Sequence, residues 1–245
     1  MTTALIVQAR MTSTRLPGKV LLPIAGRPML SYQLERLRRV RTQDVIVIAT
    51  TVNASDDPIV ELCAAEGVRC TRGSELDVLR RYHDAATSVG ATVVVRVTSD
   101  CPLIDPDVVD DVIRIFTAAR GTLDYVSNML EPSYPCGMAV EVMSTLALAE
   151  ADAEATSPVD REHVTPFLYR NPQRYRLQSV RLGVDLSANR WTVDTPEDFE
   201  LVRRIFESLH PRSPDFSMND VLALLEQHPQ WHALNQHVRQ KALGE

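Results

Sequence analysis

The sequence predicts an α/β fold: a mostly parallel central sheet with helices on both faces. Three observations carry this. Short apolar runs alternate with helical segments in the order β-α-β-α-β-α-β-α through the first half of the chain. The runs are apolar throughout instead of alternating, the pattern of strands buried on both faces. The 245 residues, 44% hydrophobic and 24% charged, suffice for one large α/β domain whose core forms without disulfides.

The elements follow in order. Ala4–Val7 reads as a buried strand, and helical periodicity resumes only near Pro28, with Leu30, Leu34 and Leu37 on one face. The connection between them is far longer than the two to six residues or so usual for a βα loop. Val45–Ala49 is a second strand, Asp56–Glu66 a helix stopped by Gly67, and Val68–Cys70 a short strand. Glu75–Ser88 is helical and ends at Gly90; Thr92–Val97 is a strand leading into Ser99-Asp100-Cys101-Pro102; Asp105–Ala119 is a helix with an acidic first turn. Beyond Gly121 the pattern loosens. Leu123–Val126 and Met138–Val142 are expected strands, Leu146–Ala155 and Val159–Tyr169 helices, and Tyr175–Leu182 and Arg190–Val193 strands. Thr195 then N-caps a helix running to Leu209, with Pro196 at its first position, and Met218–Gln227 is another helix.

Composition excludes several classes. The formal charge of −6 argues against general nucleic-acid binding. There is no 18-residue apolar stretch and no charged-then-apolar leader, so a soluble cytoplasmic protein without membrane contact is expected. Cys63, Cys70, Cys101 and Cys136 form no CxxC pair, which fits small core or loop residues in a reducing compartment and no structural zinc. Charge is uneven, however. Met1–Leu34 contains no Asp or Glu but carries Arg10, Arg15, Lys19 and Arg27, a local setting for an anion.

Ligands of parallel sheets bind beyond the carboxyl ends of the strands. The long first loop and the Asp100 turn both lie there. Arg10, Arg15 and Lys19, with Gly18 letting backbone come close, suit a triphosphate. The loop is neither a Walker A nor a GxGxxG motif: residue 13 is Ser, and Lys19 is followed by Val20. Asp100 and Asp194, each after a strand, are a carboxylate pair able to hold Mg²⁺ against phosphate oxygens. Plainer readings exist: solvated loop cations, a turn acid at Asp194, and a satisfied, partly buried histidine at His163 in Asp160-Arg161-Glu162-His163. Arg36, Arg38, Arg39 and Arg41 read as a solvated helix end, and Arg80 and Arg81 as an amphipathic face.

Val7-Gln8-Ala9-Arg10-Met11-Thr12-Ser13-Thr14-Arg15-Leu16-Pro17-Gly18-Lys19-Val20-Leu21 resembles the signature loop of the cytidylyltransferases that make CMP-activated acidic sugars. That group includes the CMP-KDO and CMP-sialic acid synthetases, and the match is nearest to their spore-coat polysaccharide branch. Ser99–Ile104, Asp160–Thr165 and Trp191–Asp198 resemble three later motifs, so the likeness spans about residues 4 to 207. It implies a nucleotide-diphospho-sugar transferase (GT-A/Rossmann-like) fold with a small acceptor and dimerisation lobe. Residues 1–122 would form the nucleotide-binding half, 123–185 the acceptor side and 186–245 a final strand and C-terminal helices of one domain.

The resemblance also implies roles. Gln8, Ala9, Arg10, Ser13, Arg15 and Lys19 would surround CTP, with Arg10, Arg15 and Lys19 holding its triphosphate and Arg10 and Lys19 serving catalysis. Arg72, Ser74 and Asp77 would recognise the base. Asp100 and Asp194 would ligate Mg²⁺, and Glu141, Glu162 and His163 would lie near an acidic-sugar acceptor. The product would be a CMP-sugar and pyrophosphate, for surface polysaccharide or glycoconjugate synthesis, made by a homodimer with its interface in 125–176. The chain departs from the KDO type, whose turn is Gly-Asp-Glu-Pro where this one reads Ser99-Asp100-Cys101-Pro102. Two rivals stand beside this reading: a glycosyltransferase of the same fold using a finished nucleotide sugar, and a non-catalytic nucleotide-binding protein.

Overall fold

The computed structural model describes residues 1–241; the last four residues of the expected 186–245 segment lie outside the described residues. In chain order the elements are β1 (Thr3–Gln8), β2 (Pro23–Ile24), β3 (Arg27–Pro28), α1 (Met29–Leu37), β4 (Val45–Thr51), α2 (Asp57–Glu66), β5 (Arg69–Gly73), α3 (Val78–Ser88), β6 (Val93–Thr98) and α4 (Pro106–Ala118). There follow β7 (Tyr125–Ser127), β8 (Glu141–Ser144), α5 (Thr145–Glu154), α6 (Pro158–His163), α7 (Pro166–Tyr169), β9 (Leu177–Ser179), α8 (Pro196–Leu209), α9 (Met218–Gln227) and α10 (Pro229–His232).

Seven strands form one sheet in the order β5-β4-β1-β6-β8-β7-β9. The first four are mutually parallel, β8 runs antiparallel to both β6 and β7, and β9 is parallel to β7. From β1 the chain winds outward to β4 and β5, then crosses back to place β6 on the other side of β1. The order therefore reverses at β1. A crevice opens beyond the carboxyl ends of β1 and β6, where ligands of open α/β sheets bind.

Strand periodicity divides the core in two. Leu5, Val7, Val93, Val95 and Val97 pack on one face, with Leu30, Leu34, Val109, Val112 and Ile205 from α1, α4 and α8. Ala4, Ile6 and Val94 pack on the other, with Leu79, Tyr82, Leu148 and Ala151 from α3 and α5. Helices thus cover both faces, as the uniformly apolar strands require.

Several expectations are corrected. Arg190–Val193 is not a strand: it makes a single bridge, Cys136 with Arg190. Its backbone is satisfied by loops instead, Trp191 N–H donating to the Cys136 carbonyl (2.6 Å) and Val193 N–H to that of Asp100 (2.7 Å). The helix expected over 159–169 is broken into α6 and α7. Val164 takes a positive φ of 73° between them, and Pro166 would clash with the carbonyl four residues back in a continuous helix. The long first connection is not featureless, since it contains a 3₁₀ turn at Lys19–Leu21 and the small β2–β3 hairpin. Arg36 is no part of a solvated helix end. It is 1% exposed, its Nε donates to the Ile104 carbonyl, and its guanidinium lies 4.3 Å from the Phe216 ring centroid. Arg81 is likewise buried, because α3 packs its face against β5 and the loop at Ser74–Glu75.

Candidate active site

The loop after β1 is anchored before it meets any ligand. Gly18, at φ 71°, donates its N–H to the Met11 carbonyl (2.8 Å), closing the loop on itself. Asp56, fully buried, accepts the Met11 N–H at 2.7 Å and also binds both hydroxyls of Thr50 and Thr51. A carboxylate satisfied by four donors fixes one end of the loop. The 3₁₀ turn fixes the other and directs Lys19 inward.

Lys19 reaches the second half of the chain. Its Nζ donates to the Val193 carbonyl (2.6 Å) and Asp194 Oδ1 (2.9 Å), and lies 3.4 Å from Asp100 Oδ2. Arg15 contacts Asp194 Oδ2 at 2.9 Å. Burial opposes the charge on Lys19, but Asp100 and Asp194 outweigh it and its pKa rises. Burial likewise opposes the charge on Asp194, yet Lys19, Arg15 and Arg190 hold its carboxyl below the usual range. The two acids expected from the sequence thus converge on one cation position, now held by an ammonium. Hard oxygen donors around one point fit a divalent ion completed by phosphate oxygens. Among the described residues no cluster of three or more His, Cys, Asp or Glu could hold a metal by itself.

These groups open into a cavity of about 680 Å³. Gln8, Ala9, Arg10, Ser13, Arg15, Lys19, Asp100 and Asp194 line it with Glu141, Glu162 and His163, so most of the expected site residues come together. Arg72, Ser74 and Asp77 do not line it. The Arg72 guanidinium binds the carbonyls of Thr51 and Asn53 and the Asp57 carboxylate. Asp77 caps α3 and takes a two-point contact from Arg161 (2.9 and 2.6 Å), while Ser74 accepts its N–H. Arg10 pairs loosely with Glu75 at 3.4 Å.

Sequence reasoning missed the cavity floor. Arg96, in the middle of β6, stands directly opposite Glu141 on β8 and pairs with it. Its Nη2 donates to Gln8 Oε1 (3.1 Å). Glu141 Oε1 also accepts from the hydroxyls of Tyr125 and Thr165, at 2.5 Å each. A charged residue inside an apolar strand run was the available signal for Arg96, since buried charge needs a partner or a ligand. Tyr125 and Thr165 had no local signal. His163 is half-buried, and burial pushes its pKa down, so its neutral form is favoured.

Six of the lining residues are Arg or Lys and four are Asp or Glu, an excess suited to an anionic ligand. A loop bearing Arg15 and Lys19 and a carboxylate pair meet at the switch point of this sheet, and the chain is a nucleotidyltransferase of the α/β class. The chain belongs to the cytidylyltransferase family, whose profile matches residues 4–236. A spore coat polysaccharide biosynthesis protein of Bacillus subtilis is 32% identical over 231 residues, covering 91% of this chain and 94% of its own. A solved cytidylyltransferase of Leptospira borgpetersenii serovar Hardjo-bovis superposes with a TM-score of 0.91 at 31% identity, over 99% of this chain and 100% of that one. The CMP:2-keto-3-deoxy-manno-octonic acid synthetase solved with CTP shares the fold at 18% identity, with a TM-score of 0.67 over 85% of this chain and 99% of that one. No helix among the described residues is long and apolar enough to cross a membrane.

Proposed function

We propose that this cytidylyltransferase transfers CMP from CTP to a hydroxyl of an acidic sugar and releases pyrophosphate. The observation that carries it is the meeting of Lys19, Arg15, Asp100 and Asp194 in a cavity that also holds Arg96, Glu141, Glu162 and His163. The acceptor hydroxyl attacks the α-phosphorus in line and gives up its proton to solvent, the bond to the bridging oxygen breaks, and pyrophosphate leaves. Arg10, Arg15 and Lys19 hold the β- and γ-phosphates and stabilise the charge that develops on the leaving group. Mg²⁺ held by Asp100 and Asp194 would neutralise charge at the α-phosphate. Residues 1–122 would supply the nucleotide side and 123–185 the acceptor side. There, Glu141 is fixed by three partners, which orients it for acceptor hydroxyls, and neutral His163 can accept a hydrogen bond from one. Arg72, Ser74 and Asp77 lie at the end of β5 and the turn before α3, outside the cavity, and would meet the base only if that turn moved toward it. The CTP bound by the octonic acid synthetase supports cytosine as the base, and that enzyme's named acid supports an acidic-sugar acceptor. Met129 and Leu146, exposed apolar residues within 125–176, support that segment as a homodimer interface.

Thermal stabilisation by CTP, UTP, ATP and GTP, each with and without Mg²⁺, tests the nucleotide site. A ligand at a hundredfold excess over its Kd stabilises the folded state by about 2.7 kcal/mol. A Mg²⁺-dependent shift largest with CTP is expected, followed by pyrophosphate release on adding 2-keto sugar acids. A shift with nucleotide sugars but with no triphosphate would overturn the reading, and light scattering on the pure protein tests the dimer.

A further inference from the structure

Arg190 stands outside the phosphate-binding loop, yet it is the most fully engaged of the three cations on Asp194. Its Nε donates to Asp198 Oδ1 (2.8 Å), and its Nη2 to both Asp198 Oδ2 (2.9 Å) and Asp194 Oδ2 (3.0 Å). Its Nη1 donates to Gln240 Oε1 (2.5 Å). Asp198 is fully buried in the first turn of α8, where its Oδ2 also accepts the N–H groups of Asp194 and Thr195. Asn235 closes the cluster from the C-terminal segment, donating to Asp198 Oδ1 (2.8 Å) and the Arg190 carbonyl (2.9 Å). Arg190 is therefore bolted to the N-terminus of α8 from several sides.

Lys19 and Arg15 are held differently. Both come from the loop after β1. Among the described residues Arg15 has one salt bridge, with Asp194, and its side chain keeps 28% of its surface exposed. In the proposed reaction both turn to the triphosphate, whose charge exceeds that of the carboxylate they leave. Lys19 holds Oδ1 of Asp194, whereas Arg15 shares Oδ2 with Arg190. Once the loop cations have turned, Oδ1 is free and Oδ2 keeps one partner.

We propose that Arg190 is a positioning residue. It grips Oδ2 of Asp194 and keeps Oδ1 aimed into the cavity while Lys19 and Arg15 are engaged by the nucleotide. The proposal rests on the reading of Asp194 as a ligand for the divalent ion. The planar guanidinium is needed because one edge serves Asp198 while the remaining proton of Nη2 serves Asp194. A lysine has no such fork.

Full-length Arg190→Lys and Arg190→Gln test it by two readouts: Mn²⁺ binding in the presence of CTP, followed by electron paramagnetic resonance, and steady-state kcat and KM. Loss of a group that orients a metal ligand weakens metal binding by about 10- to 100-fold. That fall is expected for Gln, with a comparable drop in kcat and a KM for CTP changed less than about twofold. Lys, which keeps the charge without the fork, is expected to fall between Gln and the natural residue. A purely structural role would lower the melting temperature and leave Mn²⁺ affinity and kcat of the folded fraction unchanged; that result overturns the proposal. If the Gln variant does not fold, the Lys variant decides by the same criterion. Asp194→Asn separates the two readings. Natural Mn²⁺ affinity there overturns Asp194 as a ligand, whereas loss there with natural affinity in Arg190→Lys overturns the positioning role alone.

Discussion

The Nζ of Lys19 lies 2.9 Å from Oδ1 of Asp194, across 175 residues of sequence. The contact joins the loop after β1 to the turn before α8, and Asp100, at the end of β6, lies 3.4 Å from the same ammonium. Both ends stay charged because each offsets the burial of the other. In the proposed reading an anionic ligand meets cations already gathered at one point, and binding would exchange carboxylates for phosphates with little new ordering of side chains.

Lys19→Met keeps most of the apolar stem and removes this cation. Removing one preorganised donor to a developing charge costs roughly 10²–10³ in rate. A loss of that size in kcat/KM for CTP is expected. The cost in stability is smaller, about 1–3 kcal/mol, because Arg15 and Arg190 still compensate Asp194. Kinetics and urea unfolding of the same sample check both parts, and a rate within threefold or so of the natural enzyme would remove Lys19 from the site.

Asp100→Asn tests the other acid. The amide keeps the shape but loses the charge and one of the two ligand oxygens. Turnover is expected to fall by about 10²-fold or more with a melting temperature within a few degrees, and retained turnover would sink the metal assignment.

Gly137 sits at φ 111° beneath the extended segment before Asp194. A Cβ there would lie 2.7 Å from the Trp191 carbonyl carbon and 2.8 Å from the Thr192 nitrogen, both backbone atoms. Gly137→Ala is expected to cost about 2–4 kcal/mol through strain and overpacking. It should also weaken CTP stabilisation, since the displaced segment carries Asp194. A denaturation midpoint equal to that of the natural protein would contradict this.

His163 gives a dependence on pH. Burial depresses its folded pKa, so the folded chain favours the neutral ring. The unfolded chain then binds more protons between the lower folded pKa and about 6.5, the ordinary value. Stability from this residue is full above that window and is lost as pH falls through it. Urea midpoints at about pH 7.5 and pH 5 should fall less for His163→Gln than for the natural protein, and parallel falls would remove the effect.

Thr195 and Asp198 form a capping box at the start of α8, with the Thr195 hydroxyl accepting the Asp198 N–H. Thr195→Ala is expected to cost about 1 kcal/mol, measured by denaturant unfolding.

Local chemistry determined much of this protein in advance. Apolar, β-branched runs separated by amphipathic segments are enough to specify strands buried between two helical layers. Gly18 and Pro196 act through their own backbones and Thr195 through a hydroxyl that reaches only three residues on, so their turns and caps are legible where they stand. An acid-free stretch gathers Arg10, Arg15 and Lys19 on one loop, and all three line the cavity. Tertiary structure alone decided the rest. Arg190–Val193 has the composition of a strand, but no neighbouring strand offers it a ladder, so loop carbonyls take its N–H groups. Arg36 reads as a surface charge until Phe216 and the Ile104 carbonyl close over it. Arg96 and Glu141 meet only because β8 runs antiparallel to β6, and Arg190 grips Asp194 only because α8 fixes Asp198 beside it. Periodicity is a property of neighbours in sequence; ion pairs depend on which strand ends and loops the fold brings within a few ångströms, and that is settled by packing across the whole chain.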